Sequence, residues 1–138
     1  MTKILARYST IAFGIDRSFS AISVAKKNSE KNIDFFVSDL LKHPFGKQKF
    51  DLIMGLNVLE LVEPLNFLQI ITKQIKKGHL ILSDPYDFDR GLQSVKKPVD
   101  ATNLRKKLQN LKFSISRTTK KPSFIPWVLY LNPRATLH

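Results

Sequence analysis

Apolar positions along the chain fall into two kinds of stretch. Four are short, nearly unbroken runs: Ile11–Ile15 (IAFGI), Ile33–Val37 (IDFFV), Phe50–Gly55 (FDLIMG) and His79–Ser83 (HLILS). Runs of this length, rich in Ile, Leu and Phe, predict strands. Elsewhere the apolar residues recur at helical spacing. Ser18 can cap a helix over 19–28, with Phe19, Ile22 and Ala25 on one face. Pro64 suits the first turn of a helix reaching Lys77. Leu65, Leu68, Ile71 and Ile75 give its apolar stripe, and Gly78 its stop. Asp100 can cap a third helix over 101–110, and Lys112–Ser116 and Trp127–Leu131 read as two further strands. No internal repeat or low-complexity stretch interrupts the pattern.

Strands separated by helices of about 10–15 residues imply βαβ units and a parallel sheet, hence an α/β chain. Runs that are apolar throughout fit strands buried on both faces. In such sheets ligands bind at the C-terminal ends of the strands. The positions of interest are therefore Asp16, Ser38–Asp39, Leu56–Asn57 and Asp84–Pro85–Tyr86.

The chain has 138 residues, one domain on the usual prior, and 43% hydrophobic residues, enough for a packed core. No run approaches the roughly 20 apolar residues of a membrane helix. MTKILARY lacks the apolar stretch and cleavage site of a signal peptide. A cytoplasmic protein with no membrane partner is expected, a reducing cytosol fitting a chain without Cys. The absence of Cys excludes disulfides, thiolate zinc sites, iron–sulfur clusters and cysteine nucleophiles. His43, His79 and His138 lack metal-ligand spacing, and no metal is expected. The net charge is +12, from 23 Lys and Arg against 11 Asp and Glu. Residues 96–138 hold ten of the basic residues and one acid, Asp100, whereas 1–95 hold thirteen and ten. Such a basic third can track phosphates, or it is the solvated face of a Lys-rich protein. Its aromatic residues do not interleave with the basic ones as stacking platforms would.

An acid at a strand end can accept hydrogen bonds from both hydroxyls of a ribose, which nominates Asp16 in AFGIDRS. Read as structure alone, it is a residue at a helix start beside Ser18. Asp39, in FFVSDLLKHPF, can accept from an exocyclic adenine amine while Leu40 covers the ring, or it is a turn acid. Asn57, in GLNVLE, can hold a polar substrate, or it caps a helix beginning at Val58. In combination the stretch from Ile11 to Pro85 resembles the class I S-adenosylmethionine-dependent methyltransferases. The matching motifs are AFGIDRSFSAISVAKKN, IDFFVSDLLKHPFGKQKFDLIMGLNVLELVE and KKGHLILSDPYDF, with KFDLIMGLNVLELVEP the most specific piece. A Rossmann dehydrogenase, the main confusable, lacks the second acid together with KFDLI.

The resemblance implies a Rossmann-like three-layer α/β sandwich with a mostly parallel sheet and S-adenosylmethionine as cofactor. It implies a ribose-binding acid at Asp16 with Arg17 beside it, and an adenine-contacting pair at Asp39 and Leu40. Asn57 would lie beside the methionine end and the substrate. Candidates for catalysis are Asn57, Glu60, Asp84 and Tyr86, with Asp87 next to them. DPYDF is similar to an acidic–Pro–Tyr run of small-molecule methyltransferases acting on amines or histidine-like substrates, where an aromatic ring can cradle a cation. As plain structure it is a Pro-bounded loop with solvated acids. Its likeness to the DPPY-type motif of nucleic-acid amino-methyltransferases is superficial, because that motif follows an earlier strand, where this chain has GLNV.

The chain also departs from the family. Class I members open with a strand and a D-x-G-x-G-x-G loop whose backbone receives the methionine carboxylate. Here the only Gly before residue 46 is Gly14, within the first apolar run, and MTKILAR is similar to the helix that follows that loop. A single but partial domain over 1–138 is therefore expected, with 96–138 as a basic substrate-side region. PSFIPWVLYLNPRATLH is similar to the hairpin leading to the family's last strand. The family strand order is 3-2-1-4-5-7-6, so without the first strand the second and fourth face a gap, each with unpaired backbone groups. A fragment, a sheet that closes differently, or a partner in the gap would each account for this. Two functions are compatible with these features. One is methyl transfer to a small amine- or imidazole-containing molecule by in-line displacement. The other is a non-catalytic methyltransferase-like protein that binds RNA or a protein partner through its basic C-terminal face.

Overall fold

The structure, a computed structural model, describes residues 2–42, 45–84 and 95–118. In chain order these form α1 (Thr2–Ala6), β1 (Ala12–Asp16), α2 (Phe19–Lys27), β2 (Ile33–Val37), a 3₁₀ turn (Leu40–Lys42), β3 (Phe50–Leu56), α3 (Pro64–Gln74), β4 (Ile75–Ser83) and α4 (Ala101–Asn110). The strands alternate with helices, and each pairs parallel to its neighbour. β1 pairs with β2 from Ala12↔Ile33 to Asp16↔Val37, and β3 with β4 from Phe50↔Ile75 to Leu56↔Ser83. The result is two separate two-stranded sheets rather than one continuous sheet. This is a partial Rossmann-like arrangement, with the interruption between the strands that correspond to the second and fourth of the family order.

Each sheet has its own core. On the first, Ala12, Ile33 and Phe35 pack with Ala6 of α1 and Ile22 of α2, and Ala25 lies against them. The helix faces follow from local signals: Ser18 Oγ accepts from Ala21 N at 3.2 Å, the N-cap that the sequence predicts. Asn32 Nδ2 donates to Ala6 O at 2.8 Å and Ser9 O at 3.1 Å, closing the C-terminal carbonyls of α1 onto the approach to β2. On the second sheet, Phe67, Leu68 and Ile71 of α3 form a core with Leu59, Val62, Val99 and Leu104. Ile53, Leu80 and Leu82 of the strands pack against it, as do Leu40 and Leu41 of the 3₁₀ turn. The 3₁₀ turn thus carries the chain from the end of β2 onto the core of the second sheet. A ring cluster joins the two halves elsewhere: Phe13 of β1 lies 5.9 Å from Phe50 of β3 and 5.5 Å from Phe45, centroid to centroid.

Three expectations need correction. The helix from Pro64 does not reach Lys77; it ends at Gln74, and the chain passes directly into β4 at Ile75. Gly78 is accordingly not a helix stop but a residue of β4. A Cβ there would run into the Asp51 backbone carbonyl. Glycine lets the strands approach where the register shifts, a step of two positions along β3 (Phe50 to Leu52) being matched by a step of four along β4 (Ile75 to His79). Lys112–Ser116 is not a strand. Its side chains alternate between half-buried and exposed as a strand's would, but no described strand offers it a ladder. Trp127–Leu131 lies outside the described residues. Among the described residues, no helix is long and apolar enough to cross a membrane.

Candidate functional site

The C-terminal ends of the strands carry the candidate residues in two groups. At the first sheet, Asp16 is the last residue of β1, and its carbonyl accepts from Ser38 N at 3.0 Å, extending the ladder past β2. Asp16 and Asp39 are thereby set at neighbouring strand ends. Each carboxylate is held by backbone two residues on: Asp16 Oδ1 accepts from Ser18 N at 2.8 Å, and Asp39 Oδ1 from Leu41 N at 2.9 Å. These are Asx turns, and they orient an acid at the start of α2 and another at the start of the 3₁₀ turn. Arg17 is exposed beside Asp16. Leu40 is half-buried against the second core.

At the second sheet, Asn57 follows β3 with φ at 53°, in the left-handed region that Asn tolerates better than most side chains. Its N–H donates to Ser83 O at 2.7 Å, tying it to the end of β4. Residues 58–62 form a turn rather than the helix that Asn57 would have capped. Asp84 Oδ2 accepts from Leu59 N at 2.6 Å, so the acid after β4 clamps the turn after β3. Glu60, 9% exposed, is buried in that turn. Asn57, Glu60 and Asp84 are therefore brought together, while Tyr86 and Asp87 lie outside the described residues.

One contributor to this end of the molecule was not singled out by the sequence. Glu63 precedes Pro64 at the N-cap of α3 but makes no side-chain cap; its Oε1 instead accepts from Lys96 N. The acid before Pro64 is a visible signal for an N-cap, yet its partner is 33 residues away.

The arrangement has a consistent electrostatic character. Asp16, Asp39 and Asp84 put carboxyl groups at or just past strand ends, and Glu60 adds one in the turn after β3, in a chain of net charge +12. An acidic end suits a cationic ligand. Among the described residues no glycine forms a cradle there: Gly14 packs against Phe35, Gly55 against Phe67 and Leu82, and Gly78 against the Asp51 backbone, while Gly46 lies in the turn before β3. Residues fit for a ribose and an adenine are present; the backbone cradle for an amino-acid carboxylate is not among those described.

None of the curated proteins compared with the chain matches it. Residues 3–121, most of the chain and every described element after the first residue of α1, match the family described as methyltransferase domain. The match spans both strand pairs and the turns that carry Asp16, Asp39, Asn57 and Asp84. With its parallel strand pairs and the helices packed on them, the chain belongs to the class I S-adenosylmethionine-dependent methyltransferases.

Proposed function

We propose that the protein transfers a methyl group from S-adenosylmethionine to a small amine- or imidazole-containing molecule. The observation that carries this reading is the placement of Asp16 and Asp39 at adjoining strand ends, each with one carboxylate oxygen fixed by a backbone N–H. Among the described residues only Oδ1 of each is engaged, which leaves the second oxygen of Asp16 for ribose hydroxyls and that of Asp39 for an adenine amine. Arg17 flanks the first, and Leu40 supplies an apolar wall near the second. The bound cofactor supplies an electrophilic methyl on a positively charged sulfur. The chain's own residues orient the acceptor and remove a proton where the nucleophile carries one. Asn57, in its left-handed conformation, presents an amide at the end of β3 to a polar acceptor. Asp84 holds the turn that contains Glu60, and these two acids favour a cationic amine; Tyr86 of DPYDF completes the proposed set.

Calorimetric titration with S-adenosylmethionine tests the reading. Without a glycine cradle among the described residues, binding is expected between about 1 μM and 1 mM, roughly −8 to −4 kcal/mol. Asp16→Ala should weaken it by about 1–3 kcal/mol, the cost of leaving hydrogen-bonding partners unsatisfied. Absence of any heat at millimolar ligand would overturn the cofactor reading, and an unchanged affinity in Asp16→Ala would remove Asp16 from the site.

A further inference from the structure

We propose that the face built from residues 95–118 binds the phosphodiester backbone of a nucleic-acid strand without reading its bases. This goes beyond methyl transfer and stands on a different part of the molecule. The segment holds seven Lys or Arg and a single acid, Asp100. That acid is spent on the helix: its carboxylate accepts from Asn103 N at 2.9 Å and from Asn103 Nδ2 at 2.5 Å. Lys96, Lys97, Lys106, Lys112 and Arg117 are exposed. None of these five has an ion-pair partner among the described residues.

The charges sit on a held frame rather than a loose tail. Leu104 is buried and Leu108 and Leu111 are packed against the core, which turns the opposite side of α4 outward. Lys112 N donates to Gln109 O at 2.9 Å and Phe113 N to Leu108 O at 3.0 Å, folding the chain back after the helix. Arg105 Nη2 donates to Thr118 Oγ1 at 3.0 Å and so holds Arg117 beside α4. At the other end, the bond from Lys96 N to the Glu63 carboxylate fixes Lys96 and Lys97 at the start of α3.

The outward side of α4 decides the partner. It consists of Thr102, Asn103, Lys106, Gln109 and Asn110, all polar and exposed. Uncharged donors around Lys106 suit phosphate and sugar oxygens. A helix that lies in a membrane interface presents apolar side chains on the side that inserts, and there are none among these five. Among the described residues of this segment the one aromatic ring, Phe113, is half-buried, so bases have no exposed platform to stack on there and binding is electrostatic and independent of sequence.

The test is fluorescence anisotropy of the whole chain with labelled single-stranded 20-mers of RNA and of DNA, in mixed and homopolymer sequences, without S-adenosylmethionine. The cofactor reading can then fail without touching this one. If about four phosphates are neutralised, log K should fall against log salt with a slope of about −3. Lys106→Gln/Lys112→Gln should weaken binding about tenfold or more and flatten the slope by about one unit. Lys26→Gln/Lys27→Gln, an equal charge change on α2, should alter affinity less than about threefold. A slope near zero in the unmodified chain would overturn the proposal, whatever the variants do. So would equal losses in both double variants, which would leave only net charge. Tighter binding to a poly-glutamate peptide or to vesicles of anionic lipid, or a preference above about tenfold for one base sequence or one sugar, would overturn it too.

Discussion

Asp84 shows how much a single hydrogen bond at a strand end decides. Its Oδ2 accepts from Leu59 N, a backbone donor in a turn whose side chain is 1% exposed. An acid there can position the turn, react with substrate, or do both, and two variants separate these. Asp84→Asn keeps an oxygen able to accept from Leu59 N; Asp84→Ala leaves that donor unsatisfied, at a cost of about 1–3 kcal/mol. The expected outcome in urea denaturation is a clear loss for the Ala variant and a small one for Asn. Methyl-transfer assays should show a large loss in both, because Asn cannot take up a proton. If Asn were as active as the unaltered chain, Asp84 would be a positioning residue only. Asp16, Asp39, Asn57 and Asp84 were all legible in the sequence as residues ending apolar runs. Their partners were not, because Leu59 and Asp84 are 25 residues apart and meet only through the pairing of β3 with β4.

At the scale of elements, local signals and tertiary demands part company at the α3–β4 boundary. The apolar spacing through Ile75 extends a helix, yet Ile75 already pairs with Phe50. Pairing with β3 recovers backbone hydrogen bonds that the helix would have supplied, and buries apolar side chains as well. Gly78 permits this, and Gly78→Ala should be among the most damaging small substitutions in the chain. Its Cβ would meet backbone rather than a side chain that can move aside. A loss at or above about 3 kcal/mol is expected, the upper end of ordinary overpacking, with urea midpoints as the measure. A loss below about 1 kcal/mol would show that the register can relax. α4, by contrast, obeys its local signal, since Asp100 caps it as the sequence predicts. The bond from Asn103 N, with lesser help from the Asn103 side chain and Thr102 N–H, holds the Asp100 carboxyl below its ordinary value of 3.8. A depressed folded pKa contributes stability above the unfolded value and loses it as pH falls through the folded one. Asp100→Asn should therefore differ from the unaltered chain at about pH 6 and converge with it towards about pH 2–3. Urea midpoints at the two pH values check this, and a constant difference would assign the cap to geometry rather than charge.

For the whole molecule the decisive feature is the split of the strands into two pairs. Among the described residues no ladder joins β1 to β3; their halves meet through the Phe13, Phe45 and Phe50 rings and through the 3₁₀ turn. Every strand therefore presents an unpaired edge among the described residues, and Leu52 and Ile81 are 39% and 43% exposed on the second sheet. Net charge of +12 opposes self-association. Salt weakens that opposition, as the screening length falls from about 10 Å at 0.1 M to about 3 Å at 1 M. Light scattering should accordingly show a monomer at low salt and larger species at high salt. A monomer at both would mean that the edges are not available for pairing.

The sequence by itself determined the alternation of strands and helices, the extent of β2 and α4, the caps at Ser18 and Asp100, and the acids at strand ends. These depend on side-chain period, on single capping residues and on run length, all of which are local. It also carried enough of the family pattern to place the chain among the methyltransferases. Only the tertiary structure decided where α3 gives way to β4, that residues 112–116 join no described strand ladder, and that Glu63 and Asp84 act on backbone groups far along the chain. Each of these turns on which strand lies beside which, and on the packing that brings distant donors within reach of an acceptor. Such contacts leave no mark on the spacing of residues along the chain.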